Sequence, residues 1–166
     1  MLVINLGYTA PVNRPGQSPV LTLDQVWAGL QRKVRHAEEF VPLIEACEVV
    51  SEEKSETGEE VITRLVTFRQ RPDAGPNAGK QVKEVCKLHA PCRVDFFQED
   101  GSKIANYVTS GEGGELYMTY VFEWRHATVE AESEEARKLE ETSKQTAKMA
   151  VESSIETIRR MVAKEG

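Results

Sequence analysis

The order of residue periodicities along the chain restricts its fold more than any other feature. Seven short segments alternate apolar and polar residues, as half-buried strands do. A compact helical stretch interrupts this series after the first segment, and a helix of about thirty residues ends the sequence. A curved antiparallel sheet wrapped around one long helix cannot bring its walls fully together. We therefore predict an α+β fold with an internal cavity.

The apolar spacing and the turn residues between segments set the predicted boundaries. The first strand covers residues 2–8, and helical pieces at 23–34 and 37–44 follow it. Thr22 and Gln25 form a capping-box pattern before the first helix. Turn-forming residues separate the later strands at 56–58, 99–101 and 111–114. Those strands are predicted at Ala46–Glu53, Glu60–Arg69, Gln81–His89, Cys92–Gln98, Lys103–Ser110 and Glu115–His126.

Length, charge and apolar content exclude several classes of protein. The 166 residues are enough for one domain, spanning 1–166, with its own core. With 27 acidic and 21 basic residues, the chain should repel nucleic acids and anionic membranes. No apolar run approaches the roughly 18 residues of a membrane span, and residues 1–5 lack signal-peptide features. Three cysteines fit a reducing compartment, so we expect a cytoplasmic location. The oligomeric state stays open.

The C-terminal helix, predicted at 133–164, carries an uneven inward stripe. The side chains of the stripe are large near both ends of the helix, at Leu139, Ile155, Ile158, Met161 and Val162. Its middle is small, at Ser143, Thr146, Ala147, Ala150 and Ser154. In a close-packed protein, small residues at the centre of a core-facing helix indicate a filling neighbour or a cavity, and we favour the cavity. The loop at 71–79 is rich in Pro and Gly, so we expect it to be mobile and to stand at the cavity mouth.

Five stretches of the sequence carry a resemblance to a known family. They are LTLDQVWAGL at 21–30, EFVP at 39–42, TRLVTF at 63–68, VKE at 82–84 and SGEGGELYMTYVFEWR at 110–125. On these stretches the chain resembles the AtaL-like family of the Bet v1-like, or START-like, helix-grip superfamily. The resemblance implies a seven-stranded antiparallel sheet, two short helices after strand 1 and a long C-terminal helix. It also implies occurrence in fungal secondary-metabolite clusters and in bacteria, without a defined activity.

Three polar residues lie on strand faces that are otherwise apolar. Arg64 alternates with Ile62, Val66 and Phe68, and Glu84 alternates with Val82, Cys86 and Leu88. Asn106 sits between Ile104 and Val108 in the same way. An isolated buried charge is costly, so Arg64 and Glu84, on consecutive strands, should either pair or meet a polar ligand.

Two interpretations of these polar residues stay open. In the first, Arg64 and Glu84 form an architectural ion pair, and backbone or water satisfies Asn106. In the second, the three residues form the polar end of a ligand-binding pocket. The apolar walls of that pocket would be Phe68, Phe96, Met118, Tyr120, Phe122 and Trp124.

Three function classes follow from this pattern. We favour a non-catalytic carrier or sensor that binds a small hydrophobic or aromatic metabolite inside the cavity. The alternative is a cyclase- or aromatase-like enzyme acting on a polyketide-like intermediate, with Glu84 as general base and Arg64 as enolate stabiliser. A protein-interaction module that uses the sheet edge or a helix face is the third possibility.

No motif predicts a metal or a cofactor. Cys86 and His89 point to opposite faces of their strand, which argues against zinc with Cys92. His36 and His126 have no partner at a recognisable spacing, so we expect both on the solvated surface. The glycines at 111–114 lie between two strands and therefore indicate a hairpin turn rather than a phosphate cradle.

Overall fold

The computed structural model describes residues 1–165 and shows a seven-stranded antiparallel sheet that curves around one long helix. The helices are α1 (Leu23–Arg35) and α2 (Glu134–Glu165), with short 3-10 segments at Ala37–Glu39 and Pro72–Asn77. The strands are β1 (Leu2–Pro11), β2 (Ile44–Lys54), β3 (Glu60–Phe68), β4 (Gln81–His89), β5 (Arg93–Gln98), β6 (Lys103–Ser110) and β7 (Leu116–His126). The predicted fold class is confirmed.

Strands β2 to β7 form an antiparallel meander, and β1 joins this sheet at the edge beside β7. Its strand order is β1-β7-β6-β5-β4-β3-β2, and every neighbouring pair is antiparallel. The hairpin register places Arg64 of β3 directly opposite Glu84 of β4. It also places Asn106 of β6 opposite Tyr120 of β7. Because directly opposed residues share one face of a sheet, both pairs lie on the same side as their buried neighbours.

Helix α1 begins where its capping box predicts. The Gln25 amide donates to Thr22 Oγ1 at 3.2 Å, and the Thr22 amide donates to Gln25 Oε1 at 3.0 Å. The helix packs closely on α2 at Gly29, where a Cβ atom would lie 2.5 Å from Ile158 Cγ1. A glycine at this position therefore lets the two helices approach.

The predicted second helix at 37–44 is wrong in its extent. Only Ala37–Glu39 adopts a 3-10 turn, and Ile44 already belongs to β2, where it pairs with Phe68. Pro42 has no backbone N–H and disfavours helical geometry at the residue before it, so the helix cannot continue. The chain instead enters the sheet two residues earlier than predicted.

Helix α2 lies against the sheet with its small residues in the middle of the buried stripe. Ser143, Ala147, Ala150 and Ser154 are all buried there, whereas Ile155 and Ile158 fill the interior nearer the C-terminus. The helix contacts β1 and β7 along its length and also meets α1. No helix within residues 1–165 is long and apolar enough to cross a membrane.

Candidate functional site

A cavity of about 150 Å³ lies between the sheet and the middle of α2. The α2 residues Thr142, Ser143, Thr146 and Ala150 form one wall. Their side chains are too short to reach the opposite strands, which leaves the space unfilled. The 3-10 segment Pro72–Asn77 also lines the cavity, as expected for the predicted loop at its mouth.

Most of the predicted pocket residues line this cavity. They are Arg64, Phe68, Glu84, Phe96, Asn106, Tyr120, Phe122 and Trp124. Met118 is the exception, because it is fully buried in the packed core outside the lining, opposite Ala10 and Val108. Strand alternation correctly predicts that Met118 faces the interior. It does not predict which interior positions along the strand meet packed side chains and which meet the cavity. The assignment of Met118 to the pocket wall is therefore wrong.

Arg64 and Glu84 form a closed ion pair at one end of the cavity. Arg64 Nε and Nη2 donate to Glu84 Oε1 at 3.0 and 2.7 Å, and their side chains are only 4% and 5% exposed. The second carboxylate oxygen accepts from Gln98 Nε2 at 2.8 Å. Arg64 Nη1 donates to the carbonyl oxygens of Lys33 and Val34, at 3.0 and 2.9 Å.

These contacts support the architectural interpretation of the pair. The guanidinium ties β3 to β4 and caps the C-terminal end of α1, where carbonyl groups lack intrahelical partners. Every charged group of the pair has a partner inside the protein, as a buried pair requires. Both Glu84 oxygens are thus engaged by hydrogen bonds within the protein.

Lys33 is a cavity residue that the sequence analysis missed. Its side chain comes from α1, and the residue is only 6% exposed. Its Nζ donates to Asn106 Oδ1 at 2.8 Å and lies 4.9 and 4.8 Å from the ring centroids of Phe96 and Tyr120. A signal for this position existed, because Lys33 follows Val26 and Leu30 at helical spacing on the apolar stripe.

Burial changes the proton affinity of the Lys33 amine. Desolvation and the positive charge of Arg64 together lower its pKa from 10.5 to about 7, against the opposing effect of Glu84. A substantial share of the protein at neutral pH therefore holds this amine uncharged. A neutral amine still donates to Asn106, and its nitrogen lone pair becomes available.

Two buried hydrogen-bond donors at the cavity have no partner within residues 1–165. They are Asn106 Nδ2 and Tyr120 Oη, on residues that are 0% and 1% exposed. Burial raises the pKa of Tyr120, so the phenol stays a neutral donor. The neighbouring Ser154 hydroxyl acts to lower the pKa of Tyr120, but the two hydroxyls do not meet within hydrogen-bond geometry; Ser154 donates to the Ala150 carbonyl at 2.7 Å. Asn106 Oδ1 thus has Lys33 as its partner, and its Nδ2 has none within residues 1–165.

Within residues 1–165, Cys86, His89 and Cys92 do not form a cluster of metal-ligating atoms. Cys86 is buried and His89 faces away from it, near Asp95, as strand alternation predicted. In the described part of the chain, one group of metal-ligating types clusters, at His36, Glu38 and Glu39. Glu39 already accepts two hydrogen bonds from Arg32, at 2.6 and 2.7 Å.

The predicted surface position of His126 is wrong. The residue lines the cavity and is partly buried, and this desolvation lowers its pKa. It ends β7, so its side chain reaches the space beside Trp124 and Leu139 that the apolar pattern alone did not reveal. His36, in contrast, is exposed as expected.

The chain is similar in sequence to a protein named for a fungal biosynthesis cluster. The profile of the AtaL family, described as "Acetylaranotin biosynthesis cluster protein L", matches residues 6–166. A protein of that description from Aspergillus terreus (strain NIH 2624 / FGSC A1156) is 28% identical over 156 residues, which cover 94% of this chain and 88% of the relative.

Solved structures share the fold at low sequence identity. The Zhui aromatase/cyclase from Streptomyces sp. R1128 superposes with a TM-score of 0.65 at 17% identity, covering 97% of this chain and 96% of the other. A START superfamily protein from Mycobacterium smegmatis gives a TM-score of 0.61 at 5% identity, covering 96% and 98%. These likenesses establish a START-like fold.

Proposed function

This chain belongs to the AtaL family, and we propose that it binds one small, largely apolar molecule in the cavity as a non-catalytic carrier or sensor. The observation that carries the proposal is the pair of unpartnered donors on Asn106 and Tyr120, two buried residues that line a largely apolar cavity. A buried donor without a partner costs about 1–3 kcal/mol. A ligand oxygen that accepts from both groups would recover that free energy.

The volume of the cavity limits the ligand to one or two rings. Pockets for drug-sized molecules measure about 300–1,000 Å³, whereas a cavity near 150 Å³ holds a molecule such as benzene. The cavity of this protein, at about 150 Å³, falls at the small end. Phe96, Phe122 and Trp124 in its wall favour an aromatic or flat aliphatic body.

The geometry of Glu84 and Arg64 supports binding without catalysis by these two residues. Both Glu84 oxygens accept hydrogen bonds, and all three guanidinium nitrogens of Arg64 donate within the protein. These contacts disfavour the cyclase-like alternative, because the residues that the sequence suggested as its base and its enolate stabiliser are bonded to each other.

Replacing Ala150 with phenylalanine should abolish ligand binding while the protein stays folded. The new ring would occupy the space above the small residues of α2, where Ala150 lines the cavity. We expect the affinity for 2-acetonaphthone, measured by quenching of tryptophan fluorescence, to fall by at least about tenfold. Trp124 in the cavity wall provides the signal.

The matched control places the same ring outside the cavity. Gln145 is an exposed α2 residue, so Gln145→Phe should leave the affinity unchanged. Thermal unfolding of both variants checks that each is folded. Unchanged binding to a folded Ala150→Phe protein would place the ligand elsewhere and remove the basis of the proposal.

Replacing Tyr120 with phenylalanine should reduce discrimination for a ligand oxygen. The paired probes 2-acetonaphthone and 2-ethylnaphthalene have similar shapes, but only the ketone has an acceptor. Loss of one hydrogen bond is worth about 0.5–1.5 kcal/mol, so the affinity for the ketone should fall about 2- to 12-fold. The affinity for the hydrocarbon should stay the same.

Tyr107→Phe is the control for this substitution. Tyr107 neighbours Asn106 on β6 and therefore points to the opposite face of the sheet. It should bind both probes as the parent protein does. Equal losses for the ketone and the hydrocarbon in Tyr120→Phe would mean that the phenol shapes the cavity without contacting the ligand oxygen.

A further inference from the structure

We propose that the amine of Lys33 condenses reversibly with the carbonyl carbon of the bound molecule to form an imine, which makes aldehydes and ketones the ligand class of this cavity. This chemistry rests on the proposed function, because the carbonyl compound must first enter the cavity. No residue considered from the sequence alone suggested it. Three features of the structure support it: the position of the amine, the charges around it, and the unpaired donors of its neighbours.

The first observation is the position of the amine. Lys33 is buried, lines the cavity and is held by a single side-chain hydrogen bond to Asn106 Oδ1 at 2.8 Å. Within residues 1–165 it forms no salt bridge, since the oxygens of Glu84 are occupied by Arg64 and Gln98. Its Nζ lies between the rings of Phe96 and Tyr120. A lysine placed this way has a free face toward the cavity.

The second observation is the charge around the amine. Glu84 and Cys86 of β4, Cys47 of β2 and Arg64 of β3 are the ionisable groups that act on it electrostatically. Arg64 already holds Glu84, so a second cation here has no counter-ion of its own. Burial and this neighbouring cation favour the neutral amine and lower its pKa to about 7. The neutral amine is the form that attacks a carbonyl carbon.

The third observation is that the two residues in contact with the amine, Asn106 and Tyr120, each carry an unpaired donor. Asn106 accepts from Lys33 with Oδ1, which leaves its Nδ2 unpaired. Tyr120, opposite Asn106 in the sheet, has an unpaired hydroxyl and a ring 4.8 Å from Lys33 Nζ. A carbonyl oxygen that accepts from Asn106 Nδ2, whose amide also holds the amine, would bring its carbon beside Lys33 Nζ. The same donor would stabilise the negative charge that develops on that oxygen during attack.

The reaction balances without an added oxidant or reductant. The nitrogen lone pair forms a C–N bond, and the carbonyl π electrons move to oxygen, which takes up a proton as nitrogen releases one. The resulting carbinolamine then loses its hydroxyl group together with the second nitrogen proton, as one water molecule. The C–O bond breaks and a C=N bond forms. Addition of water reverses the sequence and releases the carbonyl compound.

Reductive trapping with 2-naphthaldehyde tests the imine. Sodium cyanoborohydride converts an imine to a stable secondary amine, and peptide mass spectrometry then locates the added naphthylmethyl group. We expect labelling of Lys33 at least about tenfold above that of the exposed Lys83, because a bound carbonyl has a high effective concentration. Lys33→Arg should lose this label, and Ala150→Phe should lose it by blocking the cavity. Lys83→Arg should keep it.

A ligand without a carbonyl tests binding in the cavity separately from imine formation at Lys33. Binding of 2-naphthalenemethanol, followed by tryptophan fluorescence, requires the cavity but no imine. If this alcohol binds and Lys33 is labelled no faster than Lys83, the imine is refuted and the binding function stands. If neither the alcohol nor the aldehyde binds, both proposals fail. Preferential labelling of Lys33 that Ala150→Phe removes supports both.

Discussion

Replacing Arg64 with methionine lowers the free energy of unfolding by about 3–5 kcal/mol, the largest effect we expect from one substitution in this protein. The change leaves the Glu84 carboxylate 4% exposed and without its cation. It also removes the donors to the carbonyl oxygens of Lys33 and Val34. Chemical denaturation at pH 7 with circular dichroism measures the loss.

The double variant distinguishes an ion pair from two independent contacts. Glu84→Met alone leaves the guanidinium uncompensated and should also cost about 3 kcal/mol or more. Arg64→Met combined with Glu84→Met buries no unpaired charge. Its loss should therefore fall short of the sum of the single losses by at least about 2 kcal/mol. Additive losses would show that the two side chains do not stabilise each other.

An exposed pair provides the control for this cycle. Arg71 Nη2 lies 2.6 Å from Asp73 Oδ2, but the two side chains are 49% and 47% exposed. Water screens such a pair, so Arg71→Met should cost less than about 1 kcal/mol. The contrast between two equally short ion pairs would isolate the effect of burial.

Between pH 7 and pH 9 the wild-type protein should gain stability relative to Lys33→Met, with a slope that rises from about 0.7 kcal/mol per pH unit at pH 7 toward about 1.4 at pH 9. The folded protein holds Lys33 with a pKa near 7, whereas the unfolded chain has the ordinary value of 10.5. In this window the unfolded chain therefore binds a proton that the folded protein has released. Raising the pH removes the advantage of the unfolded chain, so the free energy of unfolding rises.

The comparison with Lys33→Met cancels the pH dependence that the other ionisable groups contribute to both proteins. Burial raises the pKa of Cys86 to about 12 and also raises that of Tyr120, so both stay protonated in the folded protein up to pH 9. Arg64 stays charged throughout. Urea titrations at several pH values compare wild type, Lys33→Met and the exposed control Lys83→Met. Parallel curves for wild type and Lys33→Met would mean that Lys33 keeps its ordinary pKa.

Local patterns in the sequence determined most of the fold. Alternation with a period of two located the strands, since successive side chains of a strand point to opposite faces. The same rule placed Arg64, Glu84 and Asn106 inside, and the turn residues set the register that opposes the first two. The small residues at the centre of α2 predicted the cavity, because short side chains on a core-facing helix leave space that longer ones would fill.

Only the tertiary structure decided which interior positions are packed, which line the cavity, and which polar groups meet there. Lys33 reaches Asn106 across 73 residues of sequence, so no local period could pair them. Met118 has the correct face but lies where the core is solid, and His126 lies where it is open. Periodicity reports the direction of a side chain relative to its own strand or helix. The partner it finds depends on how the helices cross the sheet, which is a property of the whole packed chain.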